Sequence, residues 1–137
     1  MRNYDDNLSI YNSMTDQDKL FMSPRGRYAN VPDDRILYAN TEYINNKPAG
    51  FIEVYKYNGK STRVGFIILA VHPNFRGKGL ARKMIMDAMK NCKSKGVHKL
   101  IYRLNSNNIG SDRLVQTIPG AKHIRDTKTE KAYEIYL

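Results

Sequence analysis

Residues Val71 to Ala81 read V-H-P-N-F-R-G-K-G-L-A, and the chemistry they suit is anion binding. Gly77 and Gly79 let backbone N–H groups turn inward and approach a ligand closely, and Arg76 and Lys78 add cationic side chains to the same loop. A helix that starts at Gly79 presents unsatisfied N–H groups and a dipole that favour negative charge there. A Walker A loop needs Ser or Thr after its Gly-Lys pair, and Lys78 is followed by Gly79 and Leu80, so the nucleoside-triphosphate reading fails. A dinucleotide fingerprint needs a third glycine three residues after Gly79, where Arg82 stands. The loop reads as a phosphate cradle of another kind.

Other reactive side chains are few. Glu53 sits mid-run and alternates with Phe51 and Tyr55. A partly buried carboxyl has a raised pKa and suits a general base. Glu42 is its rival, and an ordinary surface ion pair is the plain alternative for both. His72 carries a side chain of the type most used for proton transfer, but in a V-H-P context it reads as a turn residue. Cys92 falls on the apolar side of a helical pattern with Ala88 and Met89, which makes it a core thiol rather than an acyl carrier. No His/Cys cluster has metal-ligand spacing, and no Ser/His/Asp set is recognisable, so no metal is expected.

The elements around the loop follow from pattern. Val64 to Val71 is apolar on both faces, as in a strand buried within a sheet, and Pro73 ends it. Leu80, Ala81, Met84, Ile85, Ala88, Met89 and Cys92 recur three and four apart, opposite Arg82, Lys83, Lys90 and Lys93. That is one apolar helix face over Gly79 to Lys95, stopped by Gly96. Upstream, Thr15-Asp16-Gln17-Asp18 is a capping-box-like start for a short helix through Met22, and 23–34 reads as a loop. Arg35 to Tyr43, Ala49 to Tyr57 and the run from Thr62 form an antiparallel meander, turned at Asn45-Asn46-Lys47-Pro48 and at Asn58-Gly59. A strand Val97 to Leu104, a helix from Asn108 and a hairpin of Lys122 to Asp126 with Ala132 to Leu137 complete the chain. Meander, helix, strand implies a crossover and one parallel pair.

At 137 residues and 41% hydrophobic, the chain suits one domain, 1–137, that needs no disulfides or metal staples. No apolar stretch of about 18 residues exists, the N-terminus lacks the apolar core of a signal peptide, and there is one cysteine; a cytoplasmic protein without membrane attachment is expected. The net charge of +10 is polarised: Arg76 to Arg103 carries nine Lys/Arg against Asp87, whereas 1–34 carries four against six Asp. A basic half around the loop suits the phosphates of a cofactor, and an acidic N-terminal segment suits a cationic amine. A nucleic-acid-binding domain is the competing reading of this charge, but the basic residues are spread over a helix and two strand ends, without a nucleic-acid motif.

The loop resembles the acyl-CoA loop of the GNAT superfamily of N-acetyltransferases, whose pattern R/Q-x-x-G-x-G/A follows a strand ending in a hydrophobic-x-Pro turn. Arg76, Gly79 and Ala81 meet that pattern, with Val71, Pro73 and Phe75 in place. The resemblance covers Arg35 to Leu137; 1–34 lacks the usual opening strand and reads as atypical or shortened. It implies an α/β fold of GNAT type, a mixed, mainly antiparallel sheet with one splayed parallel strand pair and flanking helices. It also implies direct transfer from acetyl-CoA to a primary amine, of a small molecule or a protein, by a monomer or a homodimer. Acetyl-CoA would be held by Leu69, Ala70 and Val71, whose N–H groups a bulge frees, by Arg76, Gly77, Lys78, Gly79, Leu80 and Ala81, and by Asn108, which also suits a helix cap. Glu53 would deprotonate the amine. The family pattern N-x-x-A/S-x-x-L-Y matches Asn108, Ser111 and Leu114, but Val115 replaces the tyrosine that protonates the thiolate. Water or a tyrosine from elsewhere could substitute, and a non-catalytic acyl-CoA-binding module stays open. Arg103 stands where ribosomal-protein and N-terminal acetyltransferases often carry a glutamate, which sets the chain apart from that subfamily.

Overall fold

A computed structural model describes residues 3–21, 31–56 and 63–137. Asn3 caps helix α1 (Tyr4–Ser13), its side chain accepting from Asp6 N–H at 3.2 Å. Its buried side is formed by the polar Asn7 and by Ile10, continued by the C-cap residue Met14. In α2 (Asp16–Phe21) the capping box closes both ways: Thr15 Oγ1 accepts from Asp18 N–H at 3.1 Å, and Asp18 Oδ2 accepts from Thr15 N–H at 3.2 Å. Among the described residues no strand precedes Ile36. Met22, the loop expected over 23–30, and the Asn58-Gly59 turn with Thr62 lie outside the described residues.

The sheet contains β1 (Ile36–Ile44), β2 (Lys47–Lys56), β3 (Val64–Val71), β4 (Lys99–Asn105), β5 (Ala121–Asp126) and β6 (Glu130–Tyr136), in the order β1-β2-β3-β4-β6-β5. Only β3 with β4 is parallel. The first hairpin turns on Asn45 and Asn46 alone, at φ 51° and 64°, the left-handed pair that a tight turn requires. Pro48 therefore lies in β2 rather than in the turn, opposite Tyr43 beside a register shift, where a missing N–H is tolerated.

Helix α3 (Leu80–Ser94) packs on one face of the sheet through Met84, Ile85, Ala88 and Cys92. It ends in a Schellman motif: Gly96 at φ 83° donates to Lys93 O and Val97 donates to Cys92 O, both at 3.1 Å. Val97 is thus part of the stop, and the strand after it starts at Lys99. A short helix α4 (Ile109–Gln116) follows β4. On the opposite face α1 covers Phe51, Tyr55, Ile68 and Ala70. β3 is buried on both sides, as its unbroken apolar run requires.

Candidate active site

β3 and β4 share three register pairs, Val64 with Lys99, Gly65 with Leu100 and Phe66 with Ile101. Beyond these the strands part, and a cavity of about 400 Å³ opens between them. β3 itself keeps unbroken register with β2 from Gly65 to Val71, so the bulge expected there is corrected: the departure of β4 opens the edge of this strand. His72 N–H donates to Ala49 O at 2.8 Å. By alternation along the strand, the Ala70 amide also faces β2, while Leu69 and Val71 turn their N–H groups into the gap.

Past Val71 the chain makes a 3₁₀ turn, Pro73–Phe75, capped by His72, whose Nδ1 accepts from Asn74 N–H at 3.1 Å. His72 is a turn residue, as its context implied. Gly77 and Gly79 both adopt φ 76°, a conformation that penalises any side chain whatever the space around it. Gly79 is the N-cap of α3. The loop and the start of this helix therefore form one surface of backbone N–H groups at the mouth of the gap.

Of the ten residues expected to hold a CoA ligand, Leu69, Ala70, Val71, Arg76, Ala81 and Asn108 line the cavity. Gly77, Lys78 and Gly79 form the exposed rim beside it, and Leu80 packs partly into the core. Besides lining the cavity, Asn108 caps α4, its side chain accepting from Ser111 N–H at 3.1 Å. Val115 is fully buried in the core. On the same wall Tyr102 lines the cavity, and its hydroxyl is hydrogen-bonded to the Ser111 side chain. Burial pushes the Tyr102 phenol above its usual range, and the Ser111 contact opposes that shift. It thus stays protonated at neutral pH.

The carboxylates are arranged differently from expectation. Glu53 is fully buried under α1, where Asn7 Nδ2 donates to its Oε2 at 3.4 Å and Thr41 Oγ1 donates to Asn7 Oδ1 at 2.5 Å. It does not line the cavity. Glu42 accepts from Lys83 Nζ at 2.9 Å, tying β1 to α3. The carboxylate at the cavity is Asp18, from α2, 3.0 Å from Arg76 Nη1. Burial works against its ionisation, but hydrogen bonds from Arg76 and Thr15 prevail and hold the carboxyl below the usual range. Arg76 also donates through Nε to Val71 O at 3.2 Å. Burial pushes the Cys92 thiol up to about 11, consistent with a core residue.

Sequence reasoning missed α1 and the cavity residues Met14, Asp18 and Tyr102. A cue for the helix was present: Asn3, followed three residues later by Asp6, resembles the cap signature that located α2.

Over residues 5–117 the sequence matches the acetyltransferase (GNAT) family. The chain belongs to this family. The match begins at residue 5, so the two N-terminal helices, but for Tyr4, lie within the matched region. The GNAT fold is also seen in solved structures similar to this one. The GNAT domain of S. lividans PAT superposes with a TM-score of 0.76 at 13% identity, covering 94% of this chain and 82% of that one. An N-acetyltransferase from Staphylococcus aureus Mu50 gives 0.60 at 18% identity, covering 72% and 66%. PaiA N-acetyltransferase from Thermoplasma acidophilum, in complex with coenzyme A, gives 0.62 at 18%, covering 75% and 62%. The GNAT chain thus spans under two thirds of the length of the latter two proteins. No protein of curated function matches it by sequence. Among the described residues, no helix is long and apolar enough to cross a membrane.

Proposed function

We propose that this GNAT domain moves an acetyl group from acetyl-CoA to a primary amine by direct transfer in a ternary complex. The reading is carried by one juxtaposition: the gap between β3 and β4 opens onto the glycine loop at the start of α3. An extended, uncharged pantetheine arm fits the gap, and a diphosphate fits the backbone N–H groups of Gly77 to Ala81. The N–H groups of Leu69 and Val71 would pair with the arm as an added strand does and polarise the thioester carbonyl.

The amine nitrogen bonds to the acetyl carbon as the carbon–sulfur bond breaks, and the sulfur leaves as a thiolate that takes a proton. Tyr102 is the residue of this chain suited to give it, since its phenol lines the cavity and is anchored by Ser111. Glu53, under α1, has a structural task in this reading, and the amine loses its proton to water in the cavity.

Calorimetry with acetyl-CoA, followed by thiol release across a panel of amines, tests the proposal. Saturable binding that Gly79→Glu abolishes, together with thiol release dependent on an amine, supports it. Absence of binding at millimolar acetyl-CoA overturns it. The buried Val115, in the place of the family's tyrosine, favours a second reading, an acyl-CoA-binding module without turnover. Binding without thiol release for any amine would select that reading.

A further inference from the structure

Asp18 is the one carboxylate among the described residues that line the cavity. It stands in the first turn of α2, close after Met14, which packs with Ile68 and Ala70 on the α1 face of the sheet. Asp18 thus reaches the cavity from the α1 side. Its two oxygens are divided: Oδ2 accepts from Thr15 N–H at 3.2 Å, and Oδ1 faces Arg76 Nη1 at 3.0 Å. The same guanidinium donates through Nε to Val71 O at 3.2 Å. The carboxylate is therefore one guanidinium away from the end of β3.

In the transferase reading proposed above, on which this inference rests, the diphosphate of acetyl-CoA sits on Gly77 to Ala81, next in sequence to Arg76, and the thioester lies against Leu69 and Val71. The Arg76 side chain is 41% exposed and that of Asp18 19%, and an ion pair this open is weak. A diphosphate offers the guanidinium more charge and an equally good bidentate fit. Arg76 is the cation that acts on Asp18, so its departure leaves Oδ1 in the cavity without a counter-charge, a state that a new cation relieves. The reacting nitrogen is a poor choice for that cation. Pairing with a carboxylate holds an amine as its ammonium, which has no lone pair with which to attack. We infer that the two substrates exchange partners across this pair: the diphosphate takes Arg76, and Asp18 then holds a second, non-reacting cation of the acceptor. The acceptor class is diamines and similar dications with a few carbons between their nitrogens, rather than monoamines or amino acids. Acetyl-CoA raises their affinity by occupying Arg76, and they raise its affinity in return.

The test compares putrescine with butylamine and γ-aminobutyrate. Thiol release is measured on the full chain, and calorimetry follows acceptor binding with and without saturating CoA. Putrescine is expected to exceed both other acceptors by at least about tenfold in kcat/KM, and CoA to tighten its binding by about fivefold. Asp18→Asn, which still caps α2, should bring putrescine down to the level of butylamine, and Asp18→Glu should keep part of the preference. Arg76→Gln should let putrescine bind the CoA-free protein as tightly as it binds the CoA-saturated parent. Equal use of the acceptors, a preference that survives Asp18→Asn, or putrescine binding that CoA does not tighten overturns the inference and leaves the transferase reading standing. Equal losses for putrescine and butylamine in Asp18→Asn also overturn it, by assigning the carboxylate to the reacting nitrogen. Putrescine binding that CoA tightens and Asp18→Asn abolishes, without thiol release for any acceptor, leaves the cation site in place and rejects the transferase reading.

Discussion

The carboxylate of Asp18 and the guanidinium of Arg76, 58 residues apart in sequence, meet at 3.0 Å. The pair fastens helix α2 to the glycine loop that leads into α3. It also places a negative charge beside the loop proposed above to bind the diphosphate, and it engages an arginine of that loop. Asp18→Asn is therefore expected to raise acetyl-CoA affinity by about fivefold at low ionic strength, equivalent to roughly 1 kcal/mol. The gain should shrink as salt screens both charges, and calorimetry at two salt concentrations checks it.

Acid should loosen the same contact. The Asp18 carboxyl has a lower pKa in the folded chain than when unfolded. Its contribution is complete above the ordinary carboxylate range and is lost as pH falls through the folded value. Asp112, held down by the hydroxyl of Tyr133 and by Lys131, and Glu134, held down by Lys99, behave in the same sense. Thermal stability is expected to fall as pH drops below about 4, and a flat profile between pH 5 and pH 2.5 would contradict this assignment.

Tyr102→Phe removes the phenol and keeps the ring. If this hydroxyl protonates the leaving thiolate, kcat drops by about tenfold to a hundredfold near neutrality. The deficit should narrow above about pH 9, where a thiolate of ordinary basicity leaves without help. Far-UV dichroism and acetyl-CoA affinity should stay unchanged, which separates a chemical loss from a folding one.

Val115→Tyr, which restores the family's residue at that place in the sequence, should not restore its chemistry. Val115 is fully buried, and forcing a ring into that packing costs about 1–3 kcal/mol or more. Chemical denaturation should show the lower midpoint, and turnover should not rise above that of the parent protein.

Glu53→Gln is nearly isosteric at a fully buried position that faces Asn7. Turnover within about threefold of the parent across pH 6 to 9, with a shifted denaturation midpoint, is the outcome that fits a structural role. A much larger fall in kcat at unchanged stability would return the general base to Glu53.

Helix α3 and its loop were legible because each boundary is a local demand: Gly77, Gly79 and Gly96 all sit at φ between 76° and 83°, and an apolar stripe runs between the last two. The hairpin at Asn45-Asn46 was legible for the same reason. Helix α1 was not, because Asn7 stands in its inward stripe beside Ile10 and finds its partners in Thr41 and Glu53 from distant strands. No periodicity count can foresee that pairing. Glu53 was placed on the right strand face but in the wrong compartment, since alternation tells which side a residue faces and not which helix covers it. The splay of β3 from β4 was expected from the family resemblance, whereas the bulge expected within β3 is absent: its register with β2 is unbroken from Gly65 to Val71.

Three register pairs join β3 to β4 at this seam, extended at its lower end by His98 and Lys99 N–H donating to Arg63 O at 2.7 and 3.3 Å. Gly65 stands in the middle of this short parallel ladder. A Cβ there would meet Val54 Cγ1 at 2.4 Å and Leu100 Cδ2 at 3.2 Å. Anything that fills the wedge and pairs with its open edge becomes, in effect, a missing strand. Occupancy should then register as stiffness: slower amide exchange at Leu69 and Val71, and a steeper resistance of the whole sheet to unfolding, carried across a seam that the protein alone leaves half sewn.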